Sequence, residues 1–211
     1  MKLPASLVTA SATPPHPDIT DTEVEIMRTH FVLDKMLVPG LILLAIAGRL
    51  IPHPDNFTPL VAVALFAGAM LPGWKAVTLV LLALAASDLL LGYPPGLSSL
   101  GIYAGFLFSV ALGSYLRSRR TWPNTATCAL IGSVMFFIIS NFMILALPDQ
   151  HGYTDYAHTL SGLLDCYAMA LAFLPNALIG DLLWTVLLFW LHDLGRVRLG
   201  TGLRQAGTSG T

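Results

Sequence analysis

The sequence predicts an all-α fold, a polytopic bundle of six membrane-crossing helices with both chain ends on the cytoplasmic side. Three observations lead there. Of 211 residues, 55% are hydrophobic and only 11% are charged, where a soluble domain carries roughly 25% charged residues; the mean hydropathy is +0.71. The apolar residues fall into runs separated by proline, glycine and polar turns. The basic residues sort to one side of those runs. Short loops rich in Lys and Arg stay in the cytoplasm, and with the N-terminus inside, ten of the eleven Lys and Arg residues lie inside while Arg49 alone lies outside. Six helices of about 20 residues occupy roughly 120 positions, which leaves no second core to build. The chain therefore divides into a cytoplasmic N-terminal tail (1–35), one transmembrane domain (36–195) and a flexible cytoplasmic C-terminal tail (196–211).

The N-terminal tail has no uninterrupted apolar stretch of the kind a signal peptide needs, and Pro14, Pro15, Pro17, Asp18, Asp21, Glu23 and Glu25 oppose secretion. Thr22 and Glu25 have capping-box spacing, which predicts a short surface helix over 23–33 ahead of the first span, Met36–Ile51. The second run, Thr58–Leu71, is short for a bilayer core of about 30 Å, so it must tilt, extend into its flanking turn or be shielded by neighbours. Trp74–Leu91 and Ser98–Leu116 follow. In the latter, Gly101, Gly105, Ser109 and Gly113 recur every four residues and make one small-residue helix face, and Ala64 and Gly68 repeat the spacing in the second span. Such faces let helices approach closely, ordinarily within one chain, otherwise against a partner subunit. After Ala126–Leu147, the segment Thr159–Phe173 is interrupted by Asp165 and predicts a helix lying in or dipping into the outer surface. It joins the last span, Pro175–His192, at a Leu174-Pro175 break, where proline suits the first turn of a new helix.

A charged side chain at mid-bilayer costs about 2.5–3.5 kcal/mol, so one found in a span needs a partner or a purpose. Arg49 and Asp88 sit at similar depths near the outer ends of the first and third spans, which predicts an ion pair. It serves either to tether helices or to bind a substrate. Asp181 lies roughly 9 Å inward from the start of the last span, and Asn141 is about as deep in the fifth, a match that predicts a hydrogen-bonded pair. The first outer loop, Pro52 to Pro59, offers His53, Asp55 and Asn56 to the outer face. The long outer loop, Pro148–Ser161, carries Asp149, Gln150, His151, Tyr153, Asp155, Tyr156 and His158, a mixture suited to a lid over a small polar ligand and equally to a plain interfacial loop. No fixed ligand spacing supports a metal there. Cys128 and Cys166 stand in separate segments without CxxC spacing, so neither a disulfide framework nor a zinc site is expected. Walker A, HExxH, GxSxG and dinucleotide-glycine motifs are all absent, so neither ATP hydrolysis nor another enzyme activity, nor any cofactor, is expected of this chain.

The strings Arg49-Leu50-Ile51-Pro52-His53-Pro54-Asp55-Asn56-Phe57-Thr58-Pro59, Ala64-Leu65-Phe66-Ala67-Gly68-Ala69, Ser87-Asp88-Leu89, Asn141-Phe142, Cys166-Tyr167-Ala168 and Asn176-Ala177-Leu178-Ile179-Gly180-Asp181-Leu182 resemble an uncharacterised bacterial integral-membrane family. That family is similar to the substrate-binding S-components of energy-coupling-factor (ECF) vitamin transporters. The resemblance covers roughly residues 36 to 195. It implies an S-component-like six-helix bundle in the bacterial inner membrane, capturing a vitamin-like micronutrient near its outer face. In energised relatives, a coupling subunit and two ATPases drive inward release. The first span lacks the Ala-x-x-x-Ala patch by which many S-components dock to the coupling subunit, which suits a solitary transporter. The expected pocket is lined by Arg49, His53, Asn56, Asp88, Asn141, Cys166, Asn176 and Asp181. The alternative is a structural or assembly subunit of a larger membrane complex, packed through its small-residue faces and binding no ligand of its own.

Overall fold

A computed structural model describes the backbone of residues 21–93, 96–97, 99–146 and 156–208, with side chains for those between 36 and 197 except 144 and 145. The described residues form seven α-helices and no strand: α1 (Asp21–Leu50), α2 (Leu60–Met70), α3 (Gly73–Leu91), α4 (Ser99–Arg119), α5 (Trp122–Ala146), α6 (Leu160–Ala170) and α7 (Leu174–Thr208). Four helices are long and apolar enough to cross a membrane: α3, α4, the 122–143 part of α5 and the 174–197 part of α7. Large apolar side chains on their outer faces remain exposed, among them Leu82, Ile138, Phe142, Leu183, Trp190 and Leu191. Such an outside suits lipid rather than water.

The elements differ from the predicted spans at their ends. The expected surface helix and first span form one helix, because no breaker stands between Leu33 and Met36, and Pro39 is accommodated inside it. Helix α5 begins at Trp122, four residues ahead of the predicted span, since Pro123 falls in its first turn, where a missing N–H costs no hydrogen bond. Helix α7 begins at Leu174 with Pro175 in its first turn and runs on to Thr208. The C-terminal tail expected from residue 196 is thus helical for most of its length. Gly195, Gly200 and Gly202 each weaken that helix by about 1 kcal/mol without ending it.

Helix α2 organises the packing. At 11 residues it is roughly 16 Å long, and ten of those residues are buried. Helices α1, α3, α4, α5 and α7 all touch it, so neighbours cover this short helix on nearly every side. Its closest neighbour is α4, and the small residues explain why. A Cβ added at Gly68 would overlap the carbonyl of Val110, and one at Gly113 would overlap that of Leu65. Further along the same face of α4, Gly101 lies against Met143 and Gly105 against Phe136 of α5. The small-residue faces of α2 and α4 are therefore covered from within the chain, and an assembly role resting on them has no surface left there. The Phe66 ring meets Phe189 of α7 edge-on at 5.0 Å and closes the core on the opposite side.

Candidate functional site

Contacts between helix ends define two ends of the bundle. At the distal end, α1, α3 and α5 finish: Gly48 lies against Pro59 at the start of α2, Gly101 against Met143, and Gly180 of α7 against Phe57. At the proximal end α2 and α4 finish.

The distal site is built on the last turn of α3. Its C-terminus closes with Tyr93 N–H on Asp88 O at 2.8 Å and Gly92 N–H on Leu89 O at 3.2 Å. Gly92 takes the left-handed conformation at φ 76°. This is the Schellman arrangement, which requires a residue without Cβ strain at that position. It fixes Asp88 on the inner side of the turn and Tyr93 just beyond it. Asp88 meets Arg49 from the last turn of α1: Arg49 Nη1 donates to Asp88 Oδ1 at 2.5 Å and to Ser87 Oγ at 2.6 Å. Tyr103 of α4 donates to the second oxygen, Oδ2, at 2.9 Å. Both oxygens of Asp88 are thereby engaged, and its side chain is only 10% exposed against 18% for Arg49. A guanidinium has five N–H donors, and the described bonds use Nη1 alone. Among the described residues, the Nη2 and Nε edges of Arg49 have no partner.

Arg49 borders a cleft of about 510 Å³, together with His53, Asp55, Asn56 and Thr58 of the α1–α2 loop, Tyr93, and Phe173 from the α6–α7 turn. The loop takes its shape from a β-turn in which Phe57 N–H donates to Pro54 O at 3.0 Å. Asn56, at the third position, has φ 61° and is the one described non-glycine residue with positive φ. That conformation marks a type II turn, and asparagine tolerates it better than other residues with a Cβ. His53 Nδ1 donates to Pro54 O at 2.8 Å. The cleft thus combines a cation, a carboxylate, an amide, an imidazole, a hydroxyl and two aromatic rings.

The other expected site residues lie elsewhere. Asn141 and Cys166 meet each other where α6 packs on the end of α5: Cys166 Sγ is 3.8 Å from both Asn141 O and Oδ1, and Asn141 Nδ2 donates to Phe137 O at 2.7 Å. Tyr167 ties the same pair of helices through a 2.7 Å bond to Ile138 O. Asp181 is buried and does not pair with Asn141 as expected; its partner is Ser133, whose hydroxyl lies 2.5 Å from Asp181 Oδ2. Ser133 lies two helical turns from Asn141 on α5, so Asp181 and Asn141 sit at different levels of the bundle and not at the equal depth that residue counting gave. Asn176 is half-buried in the first turn of α7 and does not line the cleft. Of the expected lid, residues 148–155 lie outside the described residues; Tyr156 is half-buried and His158 exposed. Among the described residues, no group of three or more His, Cys, Asp or Glu is placed to hold a metal ion.

Sequence reasoning missed Tyr93, Phe173, Ser87 and Tyr103. Gly92 was the available signal for Tyr93, since a glycine just past an apolar helix turns the next residue back against its last turn. Nothing local marked Phe173 or Tyr103, whose roles depend on helix contacts. Among known proteins, one family model matches: residues 31–201 fit a family of unknown function, DUF6580. No curated protein and no solved structure matches the chain.

Proposed function

Taking as premise that the chain belongs to the DUF6580 family, whose function is unknown, we propose that it is a substrate-binding membrane transport protein of the ECF S-component type. In this reading α1, α2, α3, α4, α5 and α7 are six crossings of the bacterial inner membrane, both ends are cytoplasmic, and α6 lies at the outer surface. The distal cleft then faces outward and captures a small micronutrient. One observation carries the reading: Arg49 is anchored from behind by Asp88 and Ser87 while its remaining donors stay free at the edge of the cleft. A guanidinium held in this way is preorganised, so ligand binding does not bear the entropy of ordering it. Its geometry favours a carboxylate or a comparable planar acceptor, with Tyr93 and Phe173 offering apolar area to the rest of the solute. Inward release falls either to a coupling subunit with ATPases or to the chain alone.

The test is a thermal-shift screen of the purified protein against vitamins, nucleobases and small carboxylates, followed by Arg49→Gln. We expect a stabilising carboxylate-bearing compound, and for the variant a loss of affinity of tenfold or more, since a hydrogen bond to a charged group contributes about 1.5–3 kcal/mol. A screen in which no compound shifts the melting temperature contradicts the proposal. So does equal affinity of wild type and Arg49→Gln.

A further inference from the structure

The proximal end carries a second cleft, of about 670 Å³, between the end of α2, the α4–α5 turn and α7. Three arginines border it, Arg117, Arg120 and Arg196, against one carboxylate, Asp193, a formal surplus of two positive charges. Two of the three also hold the fold together. Arg117 Nη2 donates to the carbonyls of Gly68, at 2.9 Å, and Leu71, capping the C-terminus of α2. Arg120 Nη2 bonds Asp193 Oδ2 at 2.5 Å, and its guanidinium lies 4.9 Å from the centre of the Phe189 ring. Both use Nη2 alone among the described residues, which leaves the Nη1 and Nε donors of each. The Arg196 side chain is exposed and makes no hydrogen bond or ion pair with a described residue. Thr121 Oγ1 accepts from Asn124 N–H at 3.2 Å and keeps its own proton to donate.

The surroundings place this cleft at a membrane surface. Trp74 and Trp122, at the starts of α3 and α5, are 70% and 46% exposed at the same end of the bundle. Lys75 lies 5.5 Å from the Trp74 ring centre, and Arg119 lies 5.0 Å from that of Tyr115. Exposed Trp and Tyr with flanking Lys and Arg mark the headgroup level of a bilayer. A basic cleft between helices at that level meets lipid phosphates, whose oxygens match the guanidinium fork.

We infer that the proximal cleft binds the phosphate of an anionic phospholipid headgroup, held by Arg196 and by the free edges of Arg120 and Arg117. Met70, half-buried at the rim, supplies apolar wall for the glycerol end of the lipid. A free phosphate would use the same donors, but it has no need of the exposed tryptophans or the apolar wall. The site is independent of the distal cleft and of any solute bound there.

Native mass spectrometry of the intact protein tests this with three probes: phosphatidylglycerol, phosphatidylcholine and inorganic phosphate. Wild type is expected to retain phosphatidylglycerol over phosphatidylcholine. Arg196→Gln should retain it about fivefold less, the effect of roughly one basic side chain at an anionic surface, and Arg196→Lys should keep most of the preference. Because Arg196 is exposed, the lipid-free melting temperature of Arg196→Gln should equal that of wild type, which separates lipid loss from misfolding. Equal retention of the two lipids by wild type, or undiminished phosphatidylglycerol retention by Arg196→Gln, would overturn the inference. Displacement of phosphatidylglycerol by inorganic phosphate at equal concentration would overturn the lipid assignment.

Discussion

Arg49 stands at the distal end, away from the described Lys75, Arg117, Arg119, Arg120 and Arg196 at the proximal end, and Asp88 is its charge partner there. Deleting that carboxylate strands a mostly buried guanidinium, so Asp88→Ala should lower stability by about 3–5 kcal/mol, read as a drop in the melting temperature of detergent-purified protein. Tyr103→Phe, which removes one neutral donor, should cost only about 1 kcal/mol. Near-equal losses in the two variants would show that the carboxylate is not the anchor. At Asp181 the corresponding change is Ser133→Ala, which leaves a buried carboxyl without its hydroxyl and should cost about 1–3 kcal/mol by the same measurement. The Arg49–Asp88 contact was legible in the sequence because charges are scarce in the spans and depth along a helix can be counted in residues. The partner of Asp181 was not. Ser133 lies two helical turns before Asn141 on α5, and hydroxyls are too common in membrane helices to single one out.

At the scale of elements, the crossing of α2 and α4 sets the spacing of the bundle. Gly113→Val would drive a side chain into the Leu65 carbonyl and should destabilise by about 1–3 kcal/mol or more, as overpacking does. Gly40 supplies the control. It is exposed and an added Cβ meets nothing within 4 Å, so Gly40→Ala should be neutral or stabilise by up to about 1 kcal/mol. Equal damage from both would argue against a backbone-to-backbone crossing. The four-residue spacing announced this face in the sequence, because small side chains at helical intervals have one physical use, close approach. Helix ends were less legible. Pro123 lies ahead of the predicted span yet within the first turn of α5, where a helix tolerates it, and the tail predicted from residue 196 continues α7 to Thr208.

For the whole molecule, the apolar runs and the breakers between them made the helical class and the order of helices legible, since both follow from segment composition. The solute did not emerge, because the distal cleft is made from three separate segments whose approach no single motif encodes. The proposed orientation is open to cysteine labelling in intact cells: a membrane-impermeant reagent should modify Asn56→Cys and leave Thr121→Cys unmodified until the membrane is opened. Both positions lie away from the buried Cys128 and Cys166. The opposite pattern would invert the topology and turn the distal cleft inward.

The brevity of α2 bears on how the chain is made. A segment of roughly 16 Å whose surface is almost wholly covered by later helices gives the insertion machinery little reason to release it into lipid alone. A chain that ends with α2 lacks α3, α4, α5 and α7, which supply most of its cover. A chain truncated after residue 72 and released from the ribosome should therefore leave α2 accessible to protease, and one truncated after residue 120 should shield it more.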